Sequence, residues 1–133
     1  MITDGHFMTA GHCVQGYPPE SLTVIMGAHD LKINESTTVI FDVANVTVHP
    51  QYDNVSHKSD IAILTLKKPL TKFSEFISIG RYERQQRKFV GTNITVLGWG
   101  LGSNDVLSQA QLTVVDNQEC QNRSYLQKVN NFN

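Results

Sequence analysis

The chain has 133 residues, 40% of them hydrophobic and 17% charged, with 11 basic against 12 acidic side chains. That size suits one ordinary domain. The sparse, balanced charge excludes a charge-driven disordered tail and a counterion-displacing nucleic-acid surface. No apolar run approaches the roughly 18 residues of a membrane-spanning helix, so neither nucleic acid nor membrane is expected as a partner. The opening Met1 to His6 shows neither the basic nor the apolar region of a secretory leader.

In chain order, the first apolar residues, Phe7-Met8, run into Thr9-Ala10-Gly11-His12-Cys13, and Gly16-Tyr17-Pro18-Pro19 is a turn. Leu22 to Met26 is a short strand closed by Gly27. Thr38 to Val48 alternates: Val39, Phe41 and Val43 point one way, and Ile40, Asp42 and Ala44 the other. After Asn45, Val46 and Val48 continue the second face. A turn follows at His49-Pro50-Gln51-Tyr52-Asp53. Ile61 to Leu66 is an almost continuous apolar run stopped by Lys67-Lys68-Pro69, the pattern of a strand buried on both faces.

Arg81 to Lys88 carries Arg81, Arg84, Arg87 and Lys88 with little hydrophobicity, and is read as a solvated linker rather than an anion-binding patch. Ile94 to Leu97 and Leu112 to Val115 are two further strands, separated by the glycine-punctuated turn Gly98-Trp99-Gly100-Leu101-Gly102. Only the stretch after Asp116, from Asn117 to Val129, suits a short helix. Short strands separated by such turns indicate an all-β barrel or sandwich.

Cys13 and Cys120 are the two cysteines, and sequence alone leaves open whether they are bridged or are two buried thiols. Five Asn-x-Ser/Thr sequons, at Asn34, Asn45, Asn54, Asn93 and Asn122, exceed the one or two (about 1.5) that ten Asn would give by chance. They point to a secreted, glycosylated chain. The five histidines, His6, His12, His29, His49 and His57, form no HExxH, and Cys13 has no second cysteine beside it. No metal or other cofactor is expected.

His12 stands apart because small residues surround it. Ser59-Asp60-Ile61-Ala62-Ile63-Leu64 follows, placing an acid at the mouth of the most apolar strand. A carboxylate there is costly unless a hydrogen-bonding or positive group meets it, and an imidazole N–H is suited to do so. Such a pair is general-base machinery: the aspartate fixes the tautomer of the histidine and stabilises its protonated form. The alternative is a surface histidine in a turn and an aspartate capping a strand.

These segments resemble the trypsin/chymotrypsin-type serine proteases. Thr9-Ala10-Gly11-His12-Cys13 is similar to the family's TAAHC or TAGHC around its catalytic histidine, and Ser59 to Leu64 to the NDIAL around its aspartate. His49-Pro50-Gln51-Tyr52 resembles the intervening HPxY, and Gly98-Trp99-Gly100 the GWG of the second barrel. The resemblance runs from about residue 2 to about residue 126. It implies an all-β fold, a partial chymotrypsin-like double β-barrel, with residues 1–80 supplying later strands of the first barrel, 81–92 a linker, and 93–133 the opening of the second.

It also implies His12 as general base, Asp60 as its orienting carboxylate, and a protein or peptide as substrate. The nucleophilic serine, in a Gly-Asp-Ser-Gly-Gly setting, belongs roughly 90 residues after the aspartate, beyond Asn133. Ser103 is the nearest serine to such a context, and it is followed by Asn104-Asp105. The mature N-terminus and the partners the family gives Cys13 and Cys120 are likewise expected outside the chain, so no Cys13–Cys120 bridge is expected. Ile94 stands roughly where many members carry another cysteine. Gly27-Ala28-His29 lacks the acid of the calcium loop, so bound calcium is not expected. The expectation is a serine endopeptidase incomplete at both ends and inactive as it stands. The alternative is a non-catalytic homologue serving as a protein-binding module.

Overall fold

The computed structural model of the chain describes residues 5–70, 89–100 and 105–122. The chain divides into two compact units, Met1–Tyr82 and Glu83–Asn133. In the first, β1 (His6–Thr9), β2 (Thr23–Met26), β3 (Val39–Val48) and β4 (Ala62–Leu66) form a four-stranded sheet in the order β1-β4-β3-β2. Each neighbouring pair is antiparallel. A one-turn helix, α1 (Gly11–Val14), follows β1, and a short 3-10 turn covers Pro19–Ser21. In the second unit, β5 (Asn93–Gly98) and β6 (Ser108–Thr113) form an antiparallel ribbon.

The core of the first unit is Val14, Val43, Ala62 and Leu64, with Phe7, Leu22, Val24, Val46 and Val48 packed against it. Val43 is fully buried at 0% exposure. The two-face reading of Thr38 to Val48 is corrected here. The pairing slips between Val43 and Asn45, which face Leu66 and Thr65, so Ala44 is an extra residue in β3. Such a bulge reverses the alternation. Phe41 and Val43 before it, and Val46 and Val48 after it, are therefore the partly or fully buried positions of β3.

β4 follows the expected span, but its burial alternates. Ala62, Leu64 and Leu66 are buried, whereas Ile63 and Thr65 are only half-buried. The strand is central, between β1 and β3, and it is this position that its apolar run signals. Two elements escape the sequence pattern. β1 is four residues long, and α1 is a single turn too short for a helical period, so the stretch after Asp116 does not hold the only helix. Residues 117–122 are helical as expected, and residues 123–129 of the expected stretch lie outside the described residues.

The strand read at Leu112 to Val115 begins earlier, at Ser108. Gln109 and Gln111 pair with Leu97 and Thr95 on an exposed ribbon, where pairing needs no apolar alternation. Val114 keeps backbone bonds to Gly91 (2.7 Å) and Thr92 (2.9 Å), continuing the ladder. Arg81 to Lys88, most of the linker, lies outside the described residues, as do Leu101 to Asn104 of the glycine turn, including Ser103.

Gly27 closes β2 with φ +72°, and a Cβ there would lie 2.1 Å from the Thr37 carbonyl oxygen. The Thr37 hydroxyl donates to the Gly27 carbonyl at 2.8 Å. In the same loop the Glu35 carboxylate accepts the backbone N–H groups of His29 and Asp30. Cys13 and Cys120 are both exposed, which corrects the reading of them as two buried thiols.

Candidate active site

α1 begins without a cap of its own: Ala10, at its N-cap, makes no side-chain bond. The early N–H groups of a helix need outside acceptors, and here one comes from 48 residues away. Asp60 Oδ1 accepts the His12 backbone N–H at 2.8 Å. The other oxygen, Oδ2, lies 2.7 Å from His12 Nδ1. One carboxylate thus fixes both the backbone and the ring of the same residue. An ionised carboxylate only accepts, so Nδ1 carries the proton and Nε2 is left with its lone pair.

The two partners differ in exposure. The His12 side chain is 54% exposed and the Asp60 side chain 22%. That is the arrangement a general base needs: the acid is sheltered and oriented, and the imidazole reaches solvent. The two bonds from His12 are the leading causes that hold the Asp60 carboxyl below its ordinary value, against the opposing effect of burial. The charge of Asp60 is felt in turn by half-buried Tyr52. Burial first, then the Asp60 charge, pushes its phenol above the ordinary tyrosine value.

Local sequence makes room for this pair. A Cβ on Gly11 would lie 3.2 Å from Asp60 Oδ1 and 3.3 Å from both Tyr52 Cγ and Val48 Cγ1. Asp60 precedes β4, and the Ile61 carbonyl accepts the His49 N–H at 2.9 Å, tying the end of β3 to the start of β4. Within the loop between these strands, Asp53 Oδ1 accepts the N–H of Val55 at 2.8 Å and of Ser56 at 3.4 Å. The first of these, with the Ser56 bonds next, holds the Asp53 carboxyl below its ordinary value.

The structure therefore brings His12 and Asp60 together. It adds two neighbours that spacing did not single out. Cys13 Sγ lies 3.3 Å from His12 Nε2. His57 meets the His12 ring edge-on, with centroids 6.0 Å apart and planes at 83°. His57 and Ser59 both have φ in the left-handed region, at 54° and 55°. His12, His57 and Asp60 each offer a ligand atom, all within 4.8 Å of one another. The signal available in sequence was the position of His57 three residues before Asp60, which becomes informative only once the loop is seen to double back. Among the described residues no helix is long and apolar enough to cross a membrane.

Comparison with known proteins agrees with the motifs. The family model described as Trypsin matches residues 1–133. The chain is 31% identical over 126 residues to brachyurin of Leptuca pugilator, covering 90% of this chain and 54% of that protein. It is 33% identical over 131 residues to a chymotrypsin of Phaedon cochleariae, covering 90% and 45% respectively. A solved structure described as GrC superposes with a TM-score of 0.80 at 29% identity, covering 92% of this chain and 55% of that one. The chain spans about half the length of the relatives it matches. Motifs, strand pattern and structural likeness agree on an all-β, partial chymotrypsin-like double barrel, and the chain belongs to the trypsin family of serine proteases.

Proposed function

We propose that this chain carries the general-base half of a serine endopeptidase, with His12 as the base and Asp60 as its orienting carboxylate. One observation carries the reading: Asp60 holds His12 Nδ1 at 2.7 Å while the ring stays 54% exposed. In the complete enzyme Nε2 takes the proton of the serine hydroxyl as it attacks a peptide carbonyl. It then returns that proton to the leaving amine, while Asp60 stabilises the imidazolium formed between the two steps. The substrate is a protein or peptide, and the compartment extracellular, in keeping with the five sequons. Residues 1–80 belong to the first barrel and 93–133 to the opening of the second, with 81–92 between them.

No serine of the 133 residues stands in a Gly-Asp-Ser-Gly-Gly setting. Triad members act as a unit, so without the nucleophile the remaining two leave no hydrolysis to measure. The 133-residue chain is expected to turn over no peptide substrate and to take no label from a fluorophosphonate. Labelling of this chain would overturn that. A longer form carrying a downstream Gly-Asp-Ser-Gly-Gly is expected to be labelled and active, and to lose about 10⁴-fold in kcat on Asp60→Asn, the loss known for the triad template. A stably folded product ending at Asn133 that binds a protein partner without cleaving it would instead make the chain a non-catalytic module.

A further inference from the structure

We propose that His12, His57 and Asp60 form a binding site for a divalent transition-metal ion of the imidazole-preferring class, with Zn²⁺ as the representative. Two imidazoles and a carboxylate are a donor set that suits Zn²⁺ and Cu²⁺ and that Mg²⁺ and Ca²⁺ do not favour. The ligand atoms already lie within 4.8 Å of one another. Around a tetrahedral zinc, with bonds of about 2.0–2.2 Å, ligand atoms stand about 3.3 Å apart. Closure therefore requires shifts of up to about 1.5 Å between ligand atoms and displacement of the proton between His12 Nδ1 and Asp60 Oδ2.

The three groups are placed for such a closure. Asp60 is the fixed member, anchored by the His12 backbone N–H at 2.8 Å. His12 and His57 are exposed, so their rings are able to turn. His57 is delivered to the site by a left-handed backbone conformation, φ 54°, that a non-glycine residue seldom adopts. It already meets the His12 ring edge-on at 6.0 Å. The site is open to solvent, leaving a path for the ion and room for water to complete its coordination.

The consequence for chemistry rests on the proposed role of His12. An ion shared by His12 and Asp60 takes the place of the proton on His12 Nδ1, which is released as the metal binds. The neutral ring then carries its single proton on Nε2, taken up from solvent. Nε2 no longer accepts the serine proton, so the ion is a reversible blocker of the base. Binding itself does not depend on that role, and the test reads binding alone.

The experiment is calorimetric titration of Zn²⁺ into the metal-free chain and into His57→Ala, His57→Gln, Cys13→Ser and His29→Ala. Far-ultraviolet circular dichroism checks that each variant is folded, and two His57 replacements guard against one that fails. The expected result is about one equivalent bound, weakened at least about tenfold in both His57 variants and within about twofold of the parent in the other two. Equal affinity in both folded His57 variants, a loss confined to Cys13→Ser, or no saturable binding overturns the proposal. None of these outcomes bears on hydrolysis, so the protease reading stands or falls separately.

Discussion

At the scale of single residues, the chemistry turns on which His12 nitrogen carries the proton. Asp60 Oδ2, 2.7 Å from Nδ1, only accepts while the carboxylate is ionised. Replacing Asp60 with Asn presents either an amide donor or a weaker carbonyl acceptor, and an N–H facing Nδ1 reverses the tautomer. Nitrogen-15 spectra of the histidines are expected to show the Nδ1–H form in the parent and a shift toward Nε2–H in Asp60→Asn. An unchanged tautomer would show that Asp60 does not set it. The same contact has a pH signature. The bonds from His12 hold the Asp60 carboxyl below its ordinary value, so the native state favours the ionised form. The stabilisation is fully present above the unfolded-chain value of about 4 and is lost as pH falls through the lower folded value. Melting temperatures of the parent and Asp60→Asn should therefore differ at neutral pH and converge in acid. The pairing of His12 with Asp60 was legible in the sequence, since an acid opening an apolar strand needs a partner. His57 was not, because its approach depends on a loop path that no periodicity encodes.

At the scale of elements, β3 shows what a strand pattern conveys and what it hides. Alternation from Val39 to Val48 announces a strand, but the switch of apolar residues from odd to even positions looks like a change of face. The extra residue Ala44 cancels that switch, and Val43, Val46 and Val48 all serve one core. Deleting Ala44 is expected to give a regular ladder in which Phe41, Val43, Val46 and Val48 stay on one face, the last three with their β4 partners unchanged. Unfolding in urea should therefore remain cooperative; loss of cooperativity would show that the bulge itself is required. Val43→Ala acts on the core directly. It removes two buried carbons at a site with 0% exposure, costing about 2–3 kcal/mol from lost transfer energy and the cavity left behind. The glycines separate strain from crowding. Gly16 has φ +82° with nothing within 4 Å of an added Cβ, whereas at Gly27, φ +72°, the added Cβ lies 2.1 Å from the Thr37 oxygen. Gly16→Ala should cost the left-handed strain alone, about 1–2 kcal/mol, and Gly27→Ala clearly more, read as the difference in urea midpoints. β1 and α1 were illegible for a simpler reason: four residues are too few to display a period, and the first turn of α1 donates a backbone hydrogen bond to distant Asp60.

At the scale of the whole chain, the two units have unequal means of holding themselves together. In Met1–Tyr82, β4 is paired on both edges, and the described buried residues Val14, Val43, Ala62, Leu64 and Leu66 all lie there. In Glu83–Asn133 the described strands are one pair, in which Ile94, Val96, Leu97 and Leu112 are 41%, 43%, 61% and 52% exposed. Cross-strand bonds from Gln111 to Thr95 (2.8 Å) and from Thr113 to Asn93 (2.9 Å) help to fix the register. Such bonds contribute little net stability in water, and a two-stranded ribbon is marginal without an apolar face to cover. Local opening of β5–β6 should therefore cost several kcal/mol less than opening of β3–β4. Since about 1.4 kcal/mol is tenfold in an equilibrium, native-state hydrogen exchange should find the β5–β6 amides at least about a hundredfold less protected than those of Val43, Val46 and Leu64. Equal protection would mean that the ribbon unfolds only with the first unit, and that the stability of the 133-residue chain is cooperative across both.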